Sequence, residues 1–181
     1  MTENKWVLMT NDDGIEAPGF EHLVKAMNSA GIPLVAFAPS TNKSACSMQL
    51  NLGKPIDLHN RSELIEAWEL DETVGVHLFA LDGTPCDTMI VALDGGLKHV
   101  LPDVEPSLVL SGVNLGPNLS QDSYHSGTMG AAREAGLYGL PAIASSYTSF
   151  DPDGLQVGIE ATVELVPVSY THLRAHETLA D

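Results

Sequence analysis

Two carboxylates stand side by side in Asn11-Asp12-Asp13-Gly14, directly after the apolar run Trp6-Val7-Leu8-Met9-Thr10. Adjacent carboxylates at one strand end repel each other unless a cation lies between them. Two more oxygen-rich segments follow apolar runs of their own: Asn42-Lys43-Ser44, and Ser111 to Asn118 with Ser111, Asn114 and Asn118. Carboxylate, hydroxyl and amide oxygens together suit Mg²⁺, Mn²⁺ or Ca²⁺ over Zn²⁺. A fourth segment, Ser126-Gly127-Thr128, immediately precedes the alanine-rich stretch Ala131-Ala132-Arg133-Glu134-Ala135. N–H groups at a helix start, flanked by hydroxyls and a glycine that permits close approach, form an anion site suited to phosphate. Each segment also has a plainer reading, as a good turn at Asn11 to Gly14 and an ordinary helix cap at Ser126. Their combination favours chemistry, with carboxylates for a metal and amides and hydroxyls for phosphoryl oxygens.

The elements needed to bring these segments together can be read along the chain. Trp6 to Thr10 is a buried strand. A helix follows, with Pro18 in its first turn, Phe20, Leu23, Val24 and Met27 on one face, and Gly31 past its end. Leu34 to Ala38 is a second strand, so the first 38 residues form a βαβ unit of a parallel sheet. Residues 40 to 82 are expected to leave the sheet, with short strands near Met48 to Leu52 and Val76 to Leu81 and an ambiguous Glu63 to Leu70. Thr84-Pro85-Cys86-Asp87 reads as a capped helix start with Met89, Ile90 and Leu93 inward. Leu108 to Leu110 is a strand, Thr128 to Tyr138 a helix, Ala142 to Ser145 a strand, and Leu155 to Leu165 helical. This order argues a doubly wound α/β fold, whose ligands bind outside the carboxyl ends of the strands. That is where the oxygen-rich segments fall.

Length and charge narrow the function. The 181 residues suffice for one domain with its own core, and 44% are apolar. No run approaches the roughly 20 apolar residues of a spanning helix, so no membrane role is expected. Against 24 Asp plus Glu stand 8 Lys plus Arg, a formal net charge of -16. Such a field repels phosphate backbones, which argues against nucleic-acid binding. A phosphorylated substrate would need a bound cation to neutralise it. Cys46 and Cys86 form no metal or redox spacing, and with no apolar leader before Trp6 the chain reads as cytoplasmic, with reduced thiols. His172 and His176 are four apart, but Leu173 occupies the glutamate position of a helical zinc motif.

The combination of Thr10 to Gly14 with Ala17-Pro18-Gly19, Ala38-Pro39 before Asn42 to Ser44, Gly83 to Pro85 with Asp87, Ser111 to Asn118, and Ser126 to Thr128 with Ala131, Ala132 and Glu134 closely resembles the SurE family. Its members are metal-dependent 5'-nucleotidases and phosphatases. The resemblance implies an α/β, Rossmann-like three-layer fold with a mostly parallel sheet, one divalent cation (Mg²⁺ or Mn²⁺), and a nucleoside monophosphate substrate. It makes Asp12, Asp13, Ser44 and Asn114 the metal ligands. Asn11, Asn118, Ser126, Gly127 and Thr128 are placed around the phosphate, with Asp12, Asp13 and Asn118 as the catalytic set. Ala45 and Ser120 stand where glycine is usual, and His125 where tyrosine is frequent. The family forms homodimers or higher homo-oligomers.

The expected reaction is attack of water on a phosphate monoester, with Asn118 and the amides of Ser126 to Thr128 stabilising developing charge. A receiver-like phospho-acceptor domain also has an acidic pair after its first strand, but it needs a lysine at a late strand end, and only Arg133 and Arg174 follow Lys98. A dinucleotide-binding module needs G-x-G-x-x-G where the two acids stand. A truncated fragment that binds metal or nucleotide without turnover is the remaining alternative. The similarity fades after Leu165, so residues 1–167 are expected to form an incomplete SurE-like domain and 168–181 a non-native tail. Loss of the family's C-terminal segment would impair assembly.

Overall fold

The computed structural model describes residues 5–149 and 154–177, with side chains up to residue 169. Strand β1 (Trp6–Thr10), helix α1 (Pro18–Ser29) and β2 (Leu34–Pro39) form the expected βαβ unit. Then come β3 (Leu58–Asn60), α2 (Glu63–Ala67), β4 (Val76–Leu81), α3 (Pro85–Val91) and α4 (Leu97–Val100). The chain continues with β5 (Pro106–Leu115), α5 (Asp122–His125), α6 (Gly127–Leu137), β6 (Ala142–Tyr147) and α7 (Leu155–Glu177). The six-stranded sheet has the order β3-β4-β2-β1-β5-β6. Every neighbouring pair is parallel except the edge pair β3–β4.

Strand alternation separates two cores. Val7 and Met9 of β1 join Ala36 and Ala38 of β2 against Phe20, Leu23, Val24 and Met27 of α1 and Leu155, Ile159 and Val166 of α7. Leu8, Val35 and Phe37 face the other way, against Met89 of α3, Leu97 of α4, and Ala131 and Ala135 of α6. The result is a three-layer α/β/α fold, as expected. Among the described residues no helix is long and apolar enough to cross a membrane.

Residues 40 to 82 depart from expectation. The strand near Met48 to Leu52 does not form, because its backbone is engaged by the start of α3. Asn51 N–H donates to Asp87 Oδ1 at 3.1 Å, and Thr84 Oγ1 donates to the Gln49 carbonyl at 2.5 Å. The ladder forms later instead, at Leu58 to Asn60. Nor does this stretch leave the sheet. β4 lies inside it, paired with β2 from Leu34↔Val76 to Pro39↔Leu81. The ambiguous Glu63 to Leu70 holds the one-turn α2, anchored by buried Leu64 and Trp68. The Thr84 capping box is present as read. Strand β5 runs further than expected, through an irregularity between Ser111 and Asn114 in its pairing with β6. The backbone of α7 continues across Pro167 to Glu177. Of the expected tail, residues 178–181 lie outside the described residues.

Candidate active site

The chain works outward from β1 through β2 to β4, then returns to place β5 on the other side of β1. This reversal opens a crevice at the carboxyl ends of β1 and β5, the place where α/β sheets bind ligands. The turn after β1 is built by Asn11. Its Nδ2 donates to the Gly14 carbonyl at 2.8 Å, and its Oδ1 accepts from Gly14 N–H at 3.2 Å. Both ends of this amide are thereby committed to shaping the turn. Gly14 itself has a φ of +105° and lies within 3.2 Å of the Thr41 backbone at its would-be Cβ, so a side chain there is excluded twice over.

Asp12 is only 3% exposed, and its surroundings explain why an anion can sit there. Thr128 Oγ1 donates to Asp12 Oδ1 at 2.7 Å. A Cβ at Gly127 would fall 2.8 Å from Asp12 Cβ and 3.1 Å from Oδ2, so only glycine lets α6 begin against this carboxylate. Ser126 caps the helix by accepting from Met129 N–H at 3.1 Å. The positive end of the 11-residue α6 therefore abuts Asp12 and favours its negative charge. Asp13 lacks such support. Burial first, and then the Asp12 charge, push its carboxyl up to about 6.

The second segment is clamped over the first. Lys43 N–H donates to the Asp12 carbonyl at 2.6 Å, Ser44 N–H to Asn42 Oδ1 at 2.9 Å, and Ser47 N–H to the His125 carbonyl at 2.9 Å. Ala45 and Ser47 both have left-handed φ values, 58° and 53°. Ala45 is one of the two positions where glycine is usual in the resemblance. The other, Ser120, is left-handed too, at 51°. Ala45→Gly is accordingly expected to raise stability by about 1 kcal/mol, read as an increased denaturation midpoint, because the Cβ penalty of this conformation is removed.

These loops enclose a cavity of about 350 Å³ lined by Asp12, Asp13, Ser44, Asn114, Asn118 and Ser126, with Asp122 and His125. Six of the nine expected site residues thus meet around one space. Asn11, Gly127 and Thr128 stand behind its wall. Ser111, grouped with Asn114 by sequence, is fully buried in β5 opposite Thr10. Asn114 Nδ2 donates to the Gly116 carbonyl at 2.9 Å, which leaves Oδ1 as its donor atom toward a cation. Asn118 Nδ2 donates one hydrogen to Ser146 Oγ at 2.8 Å and keeps a second. Asp122 and His125 were not assigned from sequence. Their signal was position, since α5 lies between Asn118 and Ser126.

The wall carries three carboxylates and no lysine or arginine. An anionic substrate cannot enter such a space without a counter-charge, and the half-buried Asp13 beside Asp12 lacks one as well. Among the described residues no group of three or more His, Cys, Asp or Glu gathers to hold a metal. A cation here would be held by two carboxylates completed by hydroxyl and amide oxygens, a donor set that fits a hard, oxygen-seeking ion.

A family model described as "Survival protein SurE" matches residues 7–179. The 5'-nucleotidase SurE of Paramagnetospirillum magneticum is 36% identical over 152 residues, covering 84% of this chain and 52% of that protein. Its counterpart in Desulfitobacterium hafniense is 36% identical over 168 residues, covering 93% and 59%. The crystal structure of the SurE protein from Aquifex aeolicus superposes with a TM-score of 0.70 at 31% identity, covering 90% of this chain and 58% of that one. The chain spans between about half and three fifths of the length of these relatives. With the family match running through nearly the whole chain and the same fold recovered in a solved relative, the chain belongs to the SurE family.

Proposed function

We propose that the chain hydrolyses phosphate monoesters with the help of one divalent cation, Mg²⁺ or Mn²⁺, and that nucleoside 5'-monophosphates are its substrates. The observation that carries this reading is the cavity itself, where two adjacent carboxylates meet amide and hydroxyl oxygens and neither lysine nor arginine. The names of the relatives, 5'-nucleotidase SurE, support it.

Asp12, Asp13, Ser44 and Asn114 would hold the cation. When bound, a divalent cation supplies Lewis-acid charge at a phosphoryl oxygen and acidifies a water. Asn118, through the hydrogen not given to Ser146, donates to a second phosphoryl oxygen as charge grows there. Ser126, buried at the head of α6, closes the phosphate side of the cavity. Asp12 or Asp13, the two carboxylates lining the cavity, would take the proton from the attacking water. The test is phosphate release from a nucleotide panel with and without Mg²⁺ or Mn²⁺. Release from nucleoside 5'-monophosphates with metal is expected, and no release from any monoester under either condition would overturn the reading.

Thr128 acquires a different part from the phosphate contact expected from sequence. Its hydroxyl is committed to Asp12, so Thr128→Val leaves a buried carboxylate oxygen without its donor. Stability is expected to fall by about 1–3 kcal/mol. Cation affinity, followed by calorimetric titration of Mn²⁺, should fall with it. Unchanged cation affinity alongside a reduced kcat/KM would return Thr128 to the phosphate.

A further inference from the structure

Hydrolysis of an alkyl phosphate needs a proton for the oxygen that departs, since an alkoxide is too basic to leave bare. Among its described residues the wall of the acidic cavity offers carboxylates, amides, hydroxyls and one imidazole, that of His125. Of these groups the imidazole is the one that exchanges its proton around neutral pH.

The fold fixes the backbone of His125 from two sides. The residue ends α5 and is followed by Ser126, the cap of α6, so it stands next to the side chain that closes the phosphate side of the cavity. Ser47, in the loop that carries Ser44, grips the same point. Its N–H donates to the His125 carbonyl at 2.9 Å and its Oγ to the Tyr124 carbonyl at 2.5 Å. Arg133 of α6 lies over the Tyr124 ring at 5.8 Å and ties the short α5 to the longer helix. His125 thus enters the wall from the α5–α6 junction, whereas Asp12 and Asp13 follow β1 and Asn114 lies in β5. Asp122, three residues earlier on the same turn of α5, gives an imidazolium there an anionic neighbour. The His125 side chain is exposed, so water can return a proton to it.

We propose that His125 is the general acid of the reaction and protonates the departing alcohol oxygen. The proposal rests on the phosphomonoesterase reading above. As the P–O bond breaks, its electron pair stays on that oxygen, which takes the imidazolium proton and leaves as the alcohol. The attacking water completes the phosphate, and the neutral imidazole regains its proton from solvent.

The test is dependence on the leaving group. 4-Nitrophenolate departs without a proton, whereas the 5'-alkoxide of a nucleoside requires one. With Mg²⁺ present, the ratio of kcat/KM for a nucleoside 5'-monophosphate to that for 4-nitrophenyl phosphate is expected to fall by about a hundredfold or more in His125→Gln. Equal losses on the two esters, which a phosphate-binding or purely structural role would give, overturn the proposal and leave the phosphomonoesterase reading standing. A second readout does not depend on turnover. Inorganic phosphate added with Mg²⁺ should shift the imidazole proton signals of His125, identified by their disappearance in His125→Gln. Signals that stay in place would put the ring out of reach of the phosphate and overturn the proposal as well. A wild-type chain that hydrolyses neither ester removes the phosphomonoesterase reading itself, and the proposal with it.

Discussion

Phosphate release is expected to fall below detection after dialysis against excess EDTA and to return on addition of Mg²⁺ or Mn²⁺. The reason is electrostatic. Asp12, Asp13 and Asp122 face the cavity, no lysine or arginine answers them, and the chain as a whole carries a formal charge of -16. Bringing one more negative charge to about 4 Å from a carboxylate costs about 4 kcal/mol at an effective dielectric constant of about 20. A phosphate dianion facing a pair of carboxylates meets that cost several times over, and even one such contact weakens association by about a thousandfold. A cation between Asp12 and Asp13 reverses the sign of these contacts. Calorimetric titration of Mn²⁺ into the chelated protein supplies a readout independent of turnover. Undiminished hydrolysis in EDTA would mean that the acidic pair serves some other end.

The layered fold was readable because its signals are local and redundant. Trp6 to Thr10, Leu34 to Pro39 and the face formed by Phe20, Leu23, Val24 and Met27 are apolar runs or periods bounded by Pro18, Gly31 and the Asn11 to Gly14 turn. Each needs no distant partner to be recognised. The stretch from 40 to 82 misled for the converse reason. Met48 to Leu52 has the composition of a short strand, yet its amides and carbonyls are taken by Asp87 and Thr84, more than thirty residues away. Val76 to Leu81 was visible as a strand, but its insertion beside β2 rests on a pairing that no local pattern encodes.

The site divides along the same line. Residue types pointed to oxygen donors suited to a cation, and the three strand-end loops do converge on one cavity. What each side chain touches was beyond reach. Asn11 and Thr128 were placed by type around a phosphate, since an amide and a hydroxyl beside a helix start suit an anion. In the folded chain the amide closes its own turn, and the hydroxyl reaches across 116 positions to Asp12. The start of α6 thus already has one anion against it, the Asp12 carboxylate. Gly127 shows the same effect: its value lies in the space it yields to Asp12, and its helical backbone makes no demand for glycine.

Asp13→Asn should remove most of the phosphate-releasing activity while raising the stability of the metal-free protein. The two effects have one origin. In the absence of a cation, the Asp13 carboxylate is half-buried beside the charge of Asp12, and both burial and repulsion disfavour its ionised form. At neutral pH the folded chain bears that cost and the unfolded chain does not. An asparagine of nearly the same shape avoids it, and its side-chain oxygen can keep Asn42 Nδ2, 3.4 Å from Asp13 Oδ1, as a donor. The expected gain is about 1 kcal/mol, reduced from what full burial would give because solvent screens the exposed part of the carboxylate. It should be measured as a higher unfolding midpoint in EDTA. With Mn²⁺ added the order should invert: the wild-type chain gains stability from binding, and the variant, short of one anionic ligand, gains less. A variant with wild-type turnover and wild-type stabilisation by Mn²⁺ would place the cation elsewhere. Loss of activity with a lowered midpoint in EDTA would instead make Asp13 a structural residue whose charge the fold requires.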